Sequence, residues 1–276
     1  METLGYAAAV LMGGILGLMG GGGSILAVPI LVYIFSIPPV VATGYSLFLV
    51  GLTSLFGVIG YARKKQVNFK VGIVFSIPAL IGVFSARKFV VPALPATLFS
   101  IGNFTVSKDL AIMVLFAIMM LAASFSMIRG KKPVDESDKN VKKHEISEGK
   151  KVLLIAIEGL VVGLLTGLVG AGGGFLVIPV LVILAGLDMK EAVGTSLIVI
   201  AIKSLTGFLG ELGGAHAIDW MFLGGFSVFT TIGVFLGGWL SKFVPGNKLK
   251  PAFGWFVLIM GLVILYQSAQ GVSAAH

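Results

Sequence analysis

Long apolar stretches, separated by short polar breaks, run the whole length of the chain. They fall at about 4–36, 40–61, 70–92, 109–128, 152–187, 191–210, 218–240 and 251–267. Most approach the ~20 residues that an α-helix needs to cross a bilayer. The pattern predicts an all-α, polytopic membrane protein. One clearly polar stretch interrupts it, RGKKPVDESDKNVKKHEISEGKK at 129–151. Its mixed charges and lack of large apolar residues predict a solvated cytoplasmic linker between two transmembrane units, 1–128 and 152–276.

The two units are copies of one another. Residues 13–60 align without a gap to 163–210 at an offset of 150, with 18 of 48 positions identical. Gly17-Leu18-x-Gly20-x-Gly22-Gly23 recurs as Gly167-Leu168-x-Gly170-x-Gly172-Gly173. Pro29 recurs as Pro179, Ala42-x-Gly44-x-Ser46-Leu47 as Ala192-x-Gly194-x-Ser196-Leu197, and Ser54, Gly57 and Gly60 as Ser204, Gly207 and Gly210. With one gap, Ile81-Gly82-Val83-Phe84 matches Ile232-Gly233-Val234-Phe235.

The first element of each unit has an awkward length. A helix over 4–36 would be about 50 Å long at ~1.5 Å per residue, against a hydrocarbon core of ~30 Å, yet two full spans would not fit. Four consecutive glycines, Gly20 to Gly23, divide it into arms of roughly 16 and 13 residues, and each glycine would cost a helix interior about 1 kcal/mol relative to alanine. Two short arms joined by a glycine turn are expected, as a re-entrant hairpin or a broken span. Basic residues mark cytoplasmic loops. With the linker cytoplasmic, the Arg63–Lys70 loop falls on the same side, and so does the segment carrying Lys242, Lys248 and Lys250. The matching loop of the second unit, 211–219, has no lysine or arginine. These biases agree if the second unit is inverted relative to the first, with three spans and one hairpin per unit. Arg87 and Lys88 are the discordant pair, placed on the outside.

Composition narrows the function classes. Hydrophobic residues make up 57% of the chain, mean hydropathy is +1.05, and only 12% of residues are charged, where a soluble domain carries about a quarter. The net charge of +8 sits in short runs between apolar stretches, which points to cytoplasmic loops and against nucleic acid. The absence of cysteine excludes disulfides and thiol chemistry, and His144, His216 and His276 are too scattered to predict a metal site. No Ser–His pair or carboxylate dyad lies within the spans, so neither an enzyme nor a cofactor is expected. The first apolar segment lacks a basic start, so no cleaved signal peptide is expected.

Inverted repeats with interrupted helices are a recurrent transporter plan, with substrate held near the midplane. Irregular backbone at that depth must be buried in protein or line a cavity. Glycine turns expose backbone N–H groups, and the arms starting at Ser24 and Gly174 present positive dipole ends, which suits a small anion. The candidate substrate residues are Gly20, Gly21, Gly22, Gly23 and Ser24 with Gly170, Gly172, Gly173 and Gly174. Close helix packing is the competing role for these glycines. Thr43, Tyr45 and Ser46, with Thr195 and Ser196, begin the next helices and could donate to an oxyanion, or cap and glue helices instead. Lys203 lies deep in an apolar run with Thr53 at the matching position. A cation at that depth is a functional hypothesis by default. It could attract the anion, snorkel to an interface, or pair with Glu158, which could itself couple transport to protons.

The duplicated G-L-x-G-x-G-G-x-x-x-x-x-P pattern, the A-x-G-x-S-L continuation and the polar central loop resemble the TauE/SafE family of sulfite-exporter-like membrane proteins. The resemblance covers nearly the whole chain, and Ser24 standing where the second unit has Gly174 is a small departure that adds a hydroxyl. It implies a multi-pass plasma-membrane exporter of sulfite, an organosulfonate such as sulfoacetate, or a related oxyanion. Its partners would be that anion and the lipid bilayer, with a homo-oligomer left open. An anion-selective channel built from paired half-helices is the alternative.

Overall fold

The computed structural model describes residues 2–101, 104–129, 148–169, 173–183, 185–212 and 218–273. Within them the chain is almost wholly helical. α1 (Glu2–Met19) ends at a tight 3₁₀ turn, Gly20–Gly23, and α2 (Ser24–Pro29) continues into a π turn, Ile30–Ile34. α3 (Pro39–Arg63) and α4 (Phe69–Ser85) follow, and α4 runs through a second π turn, Ala86–Val90, into α5 (Val91–Ala93). A small antiparallel hairpin, β1 (Thr97–Ile101) with β2 (Phe104–Ser107), pairs Thr97 with Ser107 and leads into α6 (Lys108–Arg129). The second unit contains α7 (Glu148–Val169), α8 (Gly174–Ile183), α9 (Met189–Leu209), α10 (Trp220–Leu240) and α11 (Gly246–Ser273).

Among the described residues, six helical segments are long and apolar enough to cross a membrane: Pro39–Arg63, Phe69–Ala93, Lys108–Phe125, Met189–Leu209, Trp220–Leu240 and Pro251–Ser268. The arms Leu4–Met19, Ser24–Ile34 and Leu153–Val169 are shorter. Large apolar side chains such as Leu11, Ile77, Phe125, Val228 and Leu262 face outward, which water would not tolerate over so wide a surface but lipid does. Most of the polar stretch 129–151 lies outside the described residues. Its last residues, from Glu148, already belong to α7.

Glycines decide which helices touch. Gly13 and Gly17 of α1 lie flat against α10, where side chains added to them would strike the backbone at Thr230 and Val234. Gly233 and Gly237 of α10 meet Val10 and Gly14 in return. This small-x-x-x-small stripe on both partners lets the backbones approach closely. Rising numbers on α1 face rising numbers on α10, so the two run in the same direction. The second unit repeats the device: Gly159, Gly163 and Gly167 of α7 lie against Phe75, Ala79 and Val83 of α4, again in the same direction.

The remaining directions follow from contacts along each helix. α3 runs with α10, since Thr53 bonds Thr230, Gly57 faces Val234 and Lys64 reaches the Gly238 carbonyl. α9 runs against α3, with Gly51 facing Leu205 and Gly57 facing Leu197. Hence α1, α3 and α10 point one way, and α4, α7 and α9 the other. The first hairpin returns to its own end, where Phe35 stacks on Tyr6, Phe222 and Phe226.

The bundle therefore has two distinct ends. At one, Asp219 N–H donates to the Tyr45 hydroxyl at 2.8 Å and Val40 N–H to Asp109 at 3.2 Å. At the other, Asn68 N–H donates to Thr195 at 2.8 Å, and Lys64 sits near Lys190 and Lys242. Burial and those two neighbouring charges hold the Lys64 ammonium below its ordinary value. The hydrogen bonds also recur 150 residues apart: Ile37 N–H to Leu31 O and Leu187 N–H to Leu181 O, Ala42 N–H to Pro38 O and Ala192 N–H to Asp188 O.

Candidate functional site

The glycine breaks face each other in the middle of the bundle. Gly20 has φ +63° and Gly173 φ +62°, left-handed backbone that glycine adopts at little cost. The two are not equivalent under the offset of 150, since Gly173 corresponds to Gly23, so the turns differ in detail. A side chain on Gly23 would strike the backbone at Met12 and Leu16 of its own hairpin. One on Gly21 would strike Gly174, and one on Gly174 would strike Gly21 and Ile200, halfway along α9. Gly21 and Gly174 are therefore in backbone contact where the two hairpins meet, with Gly22 in the turn beside them. For this pair close packing is the observed role. Gly170 and Gly172 lie outside the described residues.

Lys203 enters this region from α9. Its side chain is fully buried, and its Nζ donates to Thr166 Oγ1 of α7 at 3.1 Å. A Cβ placed on Gly173 would be 2.6 Å from that Nζ, so the amine lies directly against the second glycine break. No carboxylate accompanies it: the one ion pair among the described residues is Arg87–Glu211. The pairing of Lys203 with Glu158 is not made. Glu158 sits eight residues before Thr166 on α7, about 12 Å along the helix axis, and its Oε2 is buried without a hydrogen-bond partner. Nor does Lys203 snorkel, because nothing of it reaches the surface.

The hydroxyl candidates divide into two groups. Tyr45 and Thr195 accept from Asp219 and Asn68 at opposite ends of the bundle, away from the breaks. Ser24, Thr43, Ser46 and Ser196 are fully buried, and each donates to the carbonyl three residues earlier, at 2.6, 2.7, 3.0 and 2.8 Å. In this conformation those protons satisfy the helix backbone. Ser24 lies at the first break itself, bonded to Gly21 O, and Ser196 approaches the same break from α9, its Oγ 2.8 Å from where Gly20 would carry a Cβ.

Several polar residues of the interior escaped the sequence reading. Thr166, partner of Lys203, is one turn before Gly170 and looks like ordinary apolar-helix filler. Thr53 and Thr230 bond each other at 2.7 Å across α3 and α10. Ser54 and Ser204 are fully buried and make no hydrogen bond among the described residues, and their match across the repeats was the available signal. Arg87, read from sequence as a misplaced loop charge, is buried in the π turn after α4, while Lys88 beside it is exposed. Its Nη1 donates to Glu211 Oε1 at 3.1 Å. Arg87 is thus no loop charge, which removes half of the discordance.

Several proteins resemble the chain in sequence over most of its length. The chain is 27% identical over 263 residues to a "Probable membrane transporter protein" of Xylella fastidiosa, covering 94% of this chain and 92% of that protein. It is 33% identical over 205 residues to "Probable membrane transporter protein MJ0441" of Methanocaldococcus jannaschii, covering 72% and 68%. To "Probable membrane transporter protein YunE" of Bacillus subtilis it is 28% identical over 273 residues, covering 92% and 90%. No solved structure matches the chain. Six membrane-crossing helices and these relatives define a multi-pass membrane transporter. The model of the sulfite exporter TauE/SafE family matches residues 6–264, and the chain belongs to that family.

Proposed function

We propose that the protein exports a small sulfur oxyanion, sulfite or an organosulfonate such as sulfoacetate, across the plasma membrane, and binds it where the two glycine-broken hairpins meet. The observation that carries this reading is Lys203: a fully buried amine, partnered by a neutral threonine and lying against Gly173. An uncompensated cation at that depth is costly unless it serves an anion. Thr166 orients it. Glycine at 173 keeps the space beside Nζ free of a side chain, and the start of α8 at Gly174 adds the positive end of a helix.

The reading includes two units, 1–128 and 152–276, in an inverted-repeat arrangement. Its support is that equivalent helices, α1 and α7, α3 and α9, α4 and α10, point in opposite directions. The hydrogen bonds that recur at an offset of 150 support the same duplication. Backbone contact between Gly21 and Gly174 closes the two breaks against each other at that point, which favours a carrier over a channel. Rocking of one unit against the other would then expose the site alternately to each end.

The test is a thermal-shift screen of the purified protein against sulfite, sulfoacetate, thiosulfate, sulfate and small carboxylates. A ligand that binds the folded state raises its melting temperature by mass action. Stabilisation by sulfite or sulfoacetate, with transport of the same anion in proteoliposomes, is expected. Stabilisation by carboxylates alone would reject the sulfur-oxyanion assignment.

A further inference from the structure

We propose that Arg87 is a second oxyanion-binding position, one step from Lys203 toward the Tyr45 end of the bundle, and that the Glu211 carboxylate occupies it until an anion displaces it. This rests on the reading of Lys203 as the inner anion contact and extends it toward one mouth of the pathway.

A guanidinium offers five N–H donors in a rigid fork suited to oxyanions. The Arg87 side chain is fully buried, yet only Nη1 is partnered, by Glu211 at 3.1 Å. Nε and Nη2 are buried with no hydrogen-bond partner among the described residues. Buried polar groups are nearly always satisfied, so two unsatisfied nitrogens on one cation call for a cause. Glu211 by contrast is 26% exposed. The acid faces the open end and the base lies behind it. Its contact is end-on through Oε1, and its Cγ, Cδ and Oε2 pack over Gly44, each 3.3 Å from where a Cβ would stand. A carboxylate held this way resembles a sulfite or sulfonate held through one oxygen.

Placement links this group to the inner site. Lys203 and Gly207 are four apart on α9 and share a face, and Glu211 lies in the turn just past the end of that helix, its N–H bonded to Phe208 O. Val83 is near the end of α4, and Arg87 follows it in the π turn Ala86–Val90. Between the two cations stands Gly207, with the Val83 and Leu47 side chains against it, and Gly210 lies against the Arg87 Cβ. Arg87 also sits in a π turn, a helix distortion frequent at functional sites.

A purely structural fastening of α4 to α9 would not require this pair. At the matching place in the other unit stand Gly238 and Tyr61. There α3 is tied to α10 through a neutral acceptor, Lys64 donating to Gly238 O at 3.0 Å, while Tyr61 turns to α1 and donates to Gly17 O at 2.9 Å. No buried guanidinium is involved.

The experiment uses the full chain, purified and in proteoliposomes, with sulfite as the probe. The variants are Glu211→Gln, the double Arg87→Gln/Glu211→Gln, and Lys203→Met. Freeing the guanidinium from its carboxylate should tighten sulfite binding in Glu211→Gln by roughly ten- to a hundred-fold, the scale of one charged hydrogen bond. The double variant leaves no stranded charge, so it should fold; it should lose that gain and slow sulfite flux about ten-fold or more. A Glu211→Gln protein with unchanged affinity, together with a double variant of wild-type flux, makes the pair a fastening and overturns the proposal. Should Glu211→Gln fail to fold, wild-type flux in the double variant overturns it alone. Wild-type affinity in Lys203→Met with the Arg87 effects intact instead rejects the inner site and leaves Arg87 as the anion contact.

Discussion

Replacing Lys203 by methionine removes one charge and keeps most of the length. The structure sets the size of the effect. Nζ is wholly enclosed and makes one protein hydrogen bond, to Thr166 at 3.1 Å. An anion seated against it would gain a charge-assisted contact of about 1.5–3 kcal/mol. At ~1.4 kcal/mol per factor of ten, its loss weakens sulfite binding roughly ten- to a hundred-fold. Stability should move the other way. No carboxylate is stranded, because Glu158 is not the partner, and burial of an uncompensated ammonium is relieved. Thr166 keeps its own bond to the Gly163 carbonyl at 3.3 Å. Lys203→Met should therefore melt no lower than the parent while binding sulfite more weakly. Glu158→Gln should add to it independently, as uncoupled sites do. A thermal melt read with and without a sulfite titration, on both single variants and the double, measures all of this. Unchanged affinity in Lys203→Met refutes the assignment. A fall in melting temperature that Glu158→Gln restores would show that the two are paired after all.

Three further outcomes follow from the packing. Single cysteines in place of Lys65 and Leu212, in a chain with no native cysteine, should react with impermeant reagent from opposite faces; labelling from one face contradicts the helix directions. Gly21→Ala and Gly174→Ala should each lower the melting temperature in detergent and impair sulfite transport, because the added methyl overlaps backbone of the opposite hairpin; wild-type melting in both would show that the hairpins do not touch. Thr230→Val should cost about 1–3 kcal/mol by stranding the buried Thr53 hydroxyl, and Thr53→Val less, since Thr230 also donates to Ser227 O at 3.0 Å; additive losses in thermal melts of the single and double variants would mean that the 2.7 Å contact carries no coupling.

The helices, the duplication and the broken first element were all legible in the sequence, each for a physical reason. Span length follows from bilayer thickness, and a run such as Gly20 to Gly23 cannot propagate a helix. The small hairpin at 97–107 was not foreseen, because Thr97–Ile101 and Phe104–Ser107 alternate over too few residues to register among runs of twenty. The interior chemistry was harder to read. Lys203 stood out since a lone lysine in an apolar run has few innocent explanations. Its partner did not, because threonine is common in membrane helices and nothing local separates Thr166 from Thr206, which is half-buried and bonds back to Ile202. Arg87 was misread for a related reason: next to Lys88, it looks like a helix-end basic pair. Which of two neighbours turns inward depends on the π turn, and that depends on packing against α7 and α9.

Departures from the duplication lie where the charge is. Across most of the repeat the matching positions do the same work, down to hydrogen bonds such as Ser46 to Thr43 and Ser196 to Val193. Two matches fail. Lys203 stands where the first unit has Thr53, whose hydroxyl is consumed by Thr230. Arg87 stands where the second has Gly238, whose carbonyl accepts from Lys64. Both odd cations lie in the half of the bundle that runs from the breaks to the Tyr45 end. An ideal inverted repeat would present an anion with equal potentials on its two ways out. This chain instead concentrates its buried positive charge along one of them, and at the other end its lysines stay nearer the surface, around Lys64, Lys190 and Lys242. On the proposed inverted-repeat reading, backbone symmetry would supply two related conformations of similar energy, and the asymmetric cations would make the anion's affinity differ between them. A ligand shifts such an equilibrium only through that difference. Lys203 and Arg87 are therefore the residues through which a symmetric scaffold could respond to its anion.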